Sequence, residues 1–126
     1  MARPYIIVAE DDEGWRELIS RWLTAEDFCE VTILPRGKDV LPAAGKRRPD
    51  LFVLDHELGD TTGMKVCAEL KSNKDYRSVP VVILTTMAGE MLKIVEGGKP
   101  DHFVVKSGEP DELMQVVEAL LTGRKH

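Results

Sequence analysis

No apolar run in these 126 residues approaches the length of a membrane span. Cysteine is scarce: Cys29 and Cys67 have neither metal-ligand spacing nor the density of a disulfide framework. Both thiols are expected to be free, as small core residues in a reducing cytoplasm. An excess of positive charge is also missing, since 17 Lys and Arg face 22 Asp and Glu for a formal net charge of −5. That argues against broad nucleic-acid binding, which draws on a basic surface. The opening "MARPYIIVAEDD" has too few apolar residues before its acids to be a signal peptide. Linkers, repeats and low-complexity tracts are lacking. Residues 1–126 are therefore expected to form one domain, with no DNA-binding or catalytic output region after residue 122. What is present, 43% hydrophobic and 31% charged residues, suits an ordinary globular chain with a real core.

Short β-like runs alternate with helical ones. "YIIVAE" (5–10), "DLFVLD" (50–55) and "VPVVILTT" (79–86) read as strands buried on both faces. "CEVTIL" (29–34) alternates in period two and reads as an edge strand, and "DHFVVK" (101–106) is the fifth. Between them, Trp15, Leu18, Ile19, Trp22 and Leu23 recur at helical spacing over 14–27. A weak helix is expected over 38–48, with Pro42 in its first turn or kinking it, and another over 62–73 capped by Thr61 or Thr62. A short helix over 89–98 ends at Gly97 and Gly98. The clearest helix, over 107–125, has Pro110 in its first turn and a core stripe of Leu113, Val116, Val117, Leu120 and Leu121. Five strands and five helices in strict alternation imply an α/β fold, a doubly wound parallel sheet with helices on both faces. Sites in such sheets form outside the carboxyl ends of the strands.

Those ends carry chemistry. The first strand finishes in Glu10-Asp11-Asp12-Glu13, the third in Asp55 with Glu57 soon after, the fourth in Thr85-Thr86 and the fifth in Lys106-Ser107. Crowded carboxylates repel unless something positive joins them. An oxygen-rich cluster suits Mg²⁺, a hard cation that takes one or two carboxylates plus phosphate oxygens. Lys106 supplies a point charge for phosphate, and the Thr85 hydroxyl can donate to an oxyanion. Asp55 is then a candidate nucleophile, since a carboxylate can accept a phosphoryl group to give an acyl phosphate.

As an ensemble these segments resemble the response regulator receiver domain, over nearly the whole chain. "IIVAEDDEGWREL" resembles the family's opening strand and acidic turn, which implies Glu10 and Asp11 as the metal-site pair, with Arg16 where many members carry an Arg. "RRPDLFVLDHELGDTTG" resembles the phosphoacceptor segment, with Asp55 as acceptor and Gly63 at the matching later glycine. The Glu57 backbone carbonyl is implied as a further metal ligand. "VPVVILTT" makes Thr85 the switch hydroxyl, and "HFVVK" makes Lys106 the phosphate-contacting lysine and Phe103 the switch aromatic.

The resemblance implies a five-stranded flavodoxin-like sheet of order 2-1-3-4-5, as in chemotaxis receivers. It also implies a stand-alone, cytoplasmic, Mg²⁺-dependent phosphorylation switch with slow autodephosphorylation. The phosphoryl donor would be a sensor histidine kinase or a phosphotransfer protein. Output would go through protein contacts, with no nucleic acid bound directly and no membrane.

The chain also departs from the pattern. Gly59 stands where many receivers have Pro, Thr86 where a smaller residue is common, and Ser107 where Pro usually follows the lysine. Lys-Pro is commonly cis in the family. A non-proline cis bond costs roughly 2.5–4 kcal/mol, so the Lys106–Ser107 bond is expected to be trans. Ser107 is then available to cap the last helix. Two other readings stand beside the switch: a pseudo-receiver that binds without being phosphorylated, and a small aspartate-nucleophile phosphatase of the haloacid dehalogenase type. His56, His102 and His126 are expected at the surface, and Arg47-Arg48 in a solvated loop.

Overall fold

The computed structural model describes residues 3–86, 91 and 99–122. In chain order these form β1 (Tyr5–Ala9), α1 (Glu13–Thr24), β2 (Glu30–Leu34), α2 (Val40–Lys46), β3 (Leu51–Asp55), α3 (Gly63–Lys71), β4 (Val81–Thr85), β5 (His102–Val105) and a final helix (Asp111–Thr122). The helix expected over 89–98 and its Gly97-Gly98 stop lie outside the described residues, Met91 apart, as does His126. Among the described residues no helix is long and apolar enough to cross a membrane.

The strands pair in parallel in the order β2-β1-β3-β4-β5. β1, β3 and β4 are buried at every position, which explains why they read as unbroken apolar runs. Alternate residues of each strand serve opposite faces. Ile7, Phe52, Leu54 and Ile83 pack with Val40 of α2 and Met64 and Leu70 of α3. Ile6, Val8, Val53, Leu84 and Val104 pack on the other side with Ile19 and Leu23 of α1 and Leu113 and Val117 of the final helix. Cys29 and Cys67 are free and buried, one in each layer. β2 is half-buried throughout, as an edge strand should be.

Local chemistry sets the boundaries. Asp12 caps α1 by accepting the Trp15 N–H at 2.8 Å. α1 stops at Thr24, before the expected 27, because Glu26 and Asp27 take positive φ of 54° and 57°. Thr62 caps α3, accepting from the Lys65 N–H at 3.2 Å. Pro42 sits in the first turn of α2. The final helix starts at Asp111, so Ser107 does not cap it. Ser107 Oγ instead accepts the Glu109 N–H at 3.3 Å in the turn before the helix. No peptide bond among the described residues is cis, and Lys106–Ser107 is trans as expected.

Candidate functional site: carboxylates and one lysine at a sheet edge

Register brings the predicted groups together. Ala9 pairs with Leu54, Asp55 with Leu84 and Thr85 with Val105, so β1, β3, β4 and β5 all finish at the same rim, each within two residues of the others. The ladder then runs one step further on each: Glu10 N–H to Leu34 O at 3.0 Å, His56 N–H to Leu84 O at 2.8 Å and Lys106 N–H to Thr85 O at 2.8 Å. These bonds hold the backbone of Glu10 and Lys106 as firmly as strand residues. Glu10, Asp55 and Thr85 are buried, whereas Asp11 is exposed.

Lys106 Nζ lies 2.8 Å from Glu10 Oε1 and 3.2 Å from Asp55 Oδ1, with only 10% of its side chain exposed. Burial pushes the Glu10 pKa up to about 7, against the opposing hydrogen bonds from Lys106 and the Asp12 N–H. Burial likewise raises Asp55, against the Lys106 charge. Burial alone would lower Lys106, but its two carboxylate partners outweigh that and leave its pKa raised. Two desolvated carboxylates thus share one ammonium, and a further cation would relieve both. Oxygen atoms of Glu10, Asp11 and Asp55 all lie within 4.8 Å of one another. Three oxygen donors, one of them open to water, fit a hard divalent ion such as Mg²⁺.

The loop after Asp55 is shaped around that cluster. A Cβ on Gly63 would lie 2.5 Å from the Asp55 carbonyl oxygen, so only glycine allows α3 to start there. Gly59 has φ +78°, a conformation that proline cannot adopt, so this turn as built excludes the family's usual residue. A Cβ at Gly59 would sit 3.7 Å from Asp11 Oδ2, so the turn lies beside the acidic pair. Glu57 is exposed, and its backbone bridges Thr62 across the loop. Arg16 Nη1 donates to the carbonyls of Glu10 at 3.1 Å and Asp11 at 2.9 Å, bracing the acidic turn. Phe103 is half-buried on the face of α2 and α3, and Thr86 is exposed.

Three features differ from expectation or were not foreseen. His56 is buried rather than exposed, because the start of α3 closes over it: the Gly63 N–H donates to the His56 carbonyl at 2.8 Å. Asp60 was not singled out, yet its carboxylate accepts from the Gly37 N–H at 3.0 Å and the Lys38 N–H at 2.9 Å, tying the loop to the approach to α2. Helical spacing marks Trp15 only as part of an apolar stripe, yet its ring lies under Lys106, 4.6 Å from Nζ. The turn composition "LGDTT" was the one signal for Asp60.

The family described as the response regulator receiver domain matches residues 6–118. The chain is 35% identical over 124 residues to the phosphate regulon transcriptional regulatory protein PhoB of Rhizobium meliloti, covering 97% of this chain and 54% of that protein. The chain thus spans about half the length of the curated relatives it matches. Among solved structures, it superposes on the phosphorylated cyanobacterial phytochrome response regulator RcpA with a TM-score of 0.81, 27% identity and 98% coverage of both chains. The Mn²⁺-bound form of response regulator Rcp1 matches with a TM-score of 0.75 and 25% identity, over 93% of this chain and 91% of that one.

Proposed function

Because the chain belongs to the response regulator receiver family, we propose that it is a two-component signalling switch that takes a phosphoryl group onto Asp55. The donor is a sensor histidine kinase or a phosphotransfer protein. The observation that carries this reading is Asp55 itself: a buried carboxylate at the sheet edge, 3.2 Å from Lys106 Nζ and clustered with Glu10 and Asp11.

An Asp55 carboxylate oxygen attacks phosphorus in line with the donor bond. That bond breaks, its electron pair stays with the donor, and an acyl phosphate remains. Mg²⁺ held by Glu10, Asp11, Asp55 and the Glu57 backbone carbonyl would draw charge from the transferring oxygens. Lys106 keeps its contact with Glu10 and turns its charge towards the phosphoryl oxygens. Thr85, at the end of β4, donates its hydroxyl to one of them, and Phe103 moves into the space that Thr85 leaves. The Thr85 hydrogen bond exists only in the phosphorylated state, so it supplies the differential contact that shifts the population. Water later attacks phosphorus, the bond to the Asp55 carboxylate breaks, and inorganic phosphate leaves, so the chain promotes its own phosphoryl transfer and slow loss without being a conventional enzyme.

Incubation with acetyl phosphate and Mg²⁺, followed by intact-mass measurement, tests this. One phosphoryl adduct is expected in the wild type and none in Asp55→Asn. An adduct that persists in the Asn variant would move the acceptor elsewhere.

A further inference from the structure

Lys106 has little of its own to aim it. It follows an edge strand, and Ser107, Gly108 and Glu109 after it are exposed. A Cβ placed on Gly108 would meet nothing within 4 Å, so the turn offers no packing that steers the lysine. A four-carbon stem with freely rotating bonds would ordinarily spread its ammonium over many positions. Yet Nζ sits within hydrogen-bond reach of both Glu10 and Asp55.

The two carboxylates attract the ammonium, and the indole of Trp15 flanks it. Nζ lies 4.6 Å from the ring centroid, inside the distance at which a ring face attracts a cation. Trp15 is itself fixed. Its backbone N–H is bound by Asp12 at 2.8 Å, and its ring stands edge-on to Trp22 with centroids 6.4 Å apart at 80°. The residual space bounded by Trp15, Leu84, Lys106 and Leu113 is about 10 Å³, barely one water. The ammonium therefore has carboxylates and an aromatic face around it, its side chain is only 10% exposed, and this partial desolvation strengthens the attraction.

We propose that Trp15 is a positioning residue for Lys106: its ring face holds the ammonium against the Glu10–Asp55 pair and thereby sets how fast Asp55 is phosphorylated. The kinetic consequence rests on the phosphoacceptor reading above. Trp15 does not touch the phosphoryl group and acts only through the lysine. A ring that merely filled the core would be indifferent to the charge beside it.

The test uses the whole chain in five forms: wild type, Trp15→Phe, Trp15→Leu, Lys106→Met and the Trp15→Leu/Lys106→Met double variant. In ¹H–¹³C spectra the Lys106 ε-methylene protons of the wild type should be shifted upfield by the ring, and Trp15→Leu should return them to the ordinary lysine position. With acetyl phosphate and Mg²⁺, Trp15→Leu should be phosphorylated roughly three- to tenfold more slowly, with Trp15→Phe within about twofold of wild type. In the Lys106→Met background, read over hours because that variant is slow, Trp15→Leu should add no further loss. An unshifted Lys106 resonance in the wild type overturns the proposal. So does an equal slowing by Trp15→Leu with and without the lysine, or a Phe variant as slow as Leu. A wild type that shows the ring shift but gains no mass sinks the phosphoacceptor reading and the rate claim together, and leaves the contact standing.

Discussion

The two rims of the sheet use acids in opposite ways. At the rim where strands begin, Asp50 Oδ2 accepts the leading N–H of β1 from Tyr5 at 2.8 Å. Asp101 Oδ2 accepts the leading N–H of β4 from Val81 at 2.8 Å, with Lys71 Nζ also at 2.8 Å. These carboxylates are consumed by the fold. At the rim where strands finish, the backbone groups left over are carbonyls, which accept rather than donate. Arg16 serves two of them. Among the described residues, Glu10 and Asp55 share Lys106, and Glu10 also accepts the Asp12 N–H. Residue type alone therefore does not mark a site: Asp50 and Asp101 are satisfied by the leading N–H groups of strands, while Glu10 and Asp55 share one lysine.

The sharpest way to break that contrast is to neutralise one acid on each rim. Asp55→Asn should lose phosphorylation completely by intact mass, and Asp101→Asn should be phosphorylated at the wild-type rate. Removing the cation on each rim comes next. Lys106→Met strands two buried carboxylates and should cost about 3 kcal/mol in denaturant unfolding at pH 7, with much of it recovered near pH 5. Lys71→Met should cost about 1 kcal/mol or less, because Asp101 keeps the Val81 N–H.

The pH dependence of stability separates the rims further. Glu10 goes from its ordinary 4.5 to about 7 on folding. Below pH 4.5 both states hold the proton. As pH rises towards 7, the unfolded chain releases it first, so metal-free stability should fall across that window, by about 1–3 kcal/mol. Glu10→Gln should flatten this fall. Mg²⁺ at about 100 times its dissociation constant should add roughly 2.7 kcal/mol to the wild type. The smallest effect belongs to the other rim: Asp50→Asn weakens one charge-assisted bond and should cost about 1 kcal/mol without changing phosphorylation.

Much of the finishing rim was legible in the sequence, because parallel strands bring their carboxyl ends to the same rim of the sheet. Glu10, Asp11, Asp55, Thr85 and Lys106 each close or directly follow an apolar run, so alternation of elements was enough to bring them to one edge. What escaped depends on how loops and helices approach that edge. His56 follows a buried strand, but its burial comes from α3 beginning at a glycine pressed on the Asp55 carbonyl. Asp60 binds amides 22 and 23 residues away, a pairing with no local pattern. Trp15 carries helical periodicity, which announces a core face but not the lysine above it. The end of α1 was missed because two non-glycine residues take left-handed conformations there.

The tie made by Asp60 also fixes an order of events in acid. Desolvation pulls the Asp60 pKa upward, but the backbone N–H groups of Lys38 and Gly37 prevail and leave it below the ordinary 3.8. Glu10 and Asp55 are shifted the other way. An acid titration therefore discharges Glu10 and Asp55 before it reaches Asp60, the anchor of the loop. While Glu10 and Asp55 are already neutral, Asp60 still accepts the Gly37 and Lys38 N–H groups, so the loop stays tied to the approach to α2.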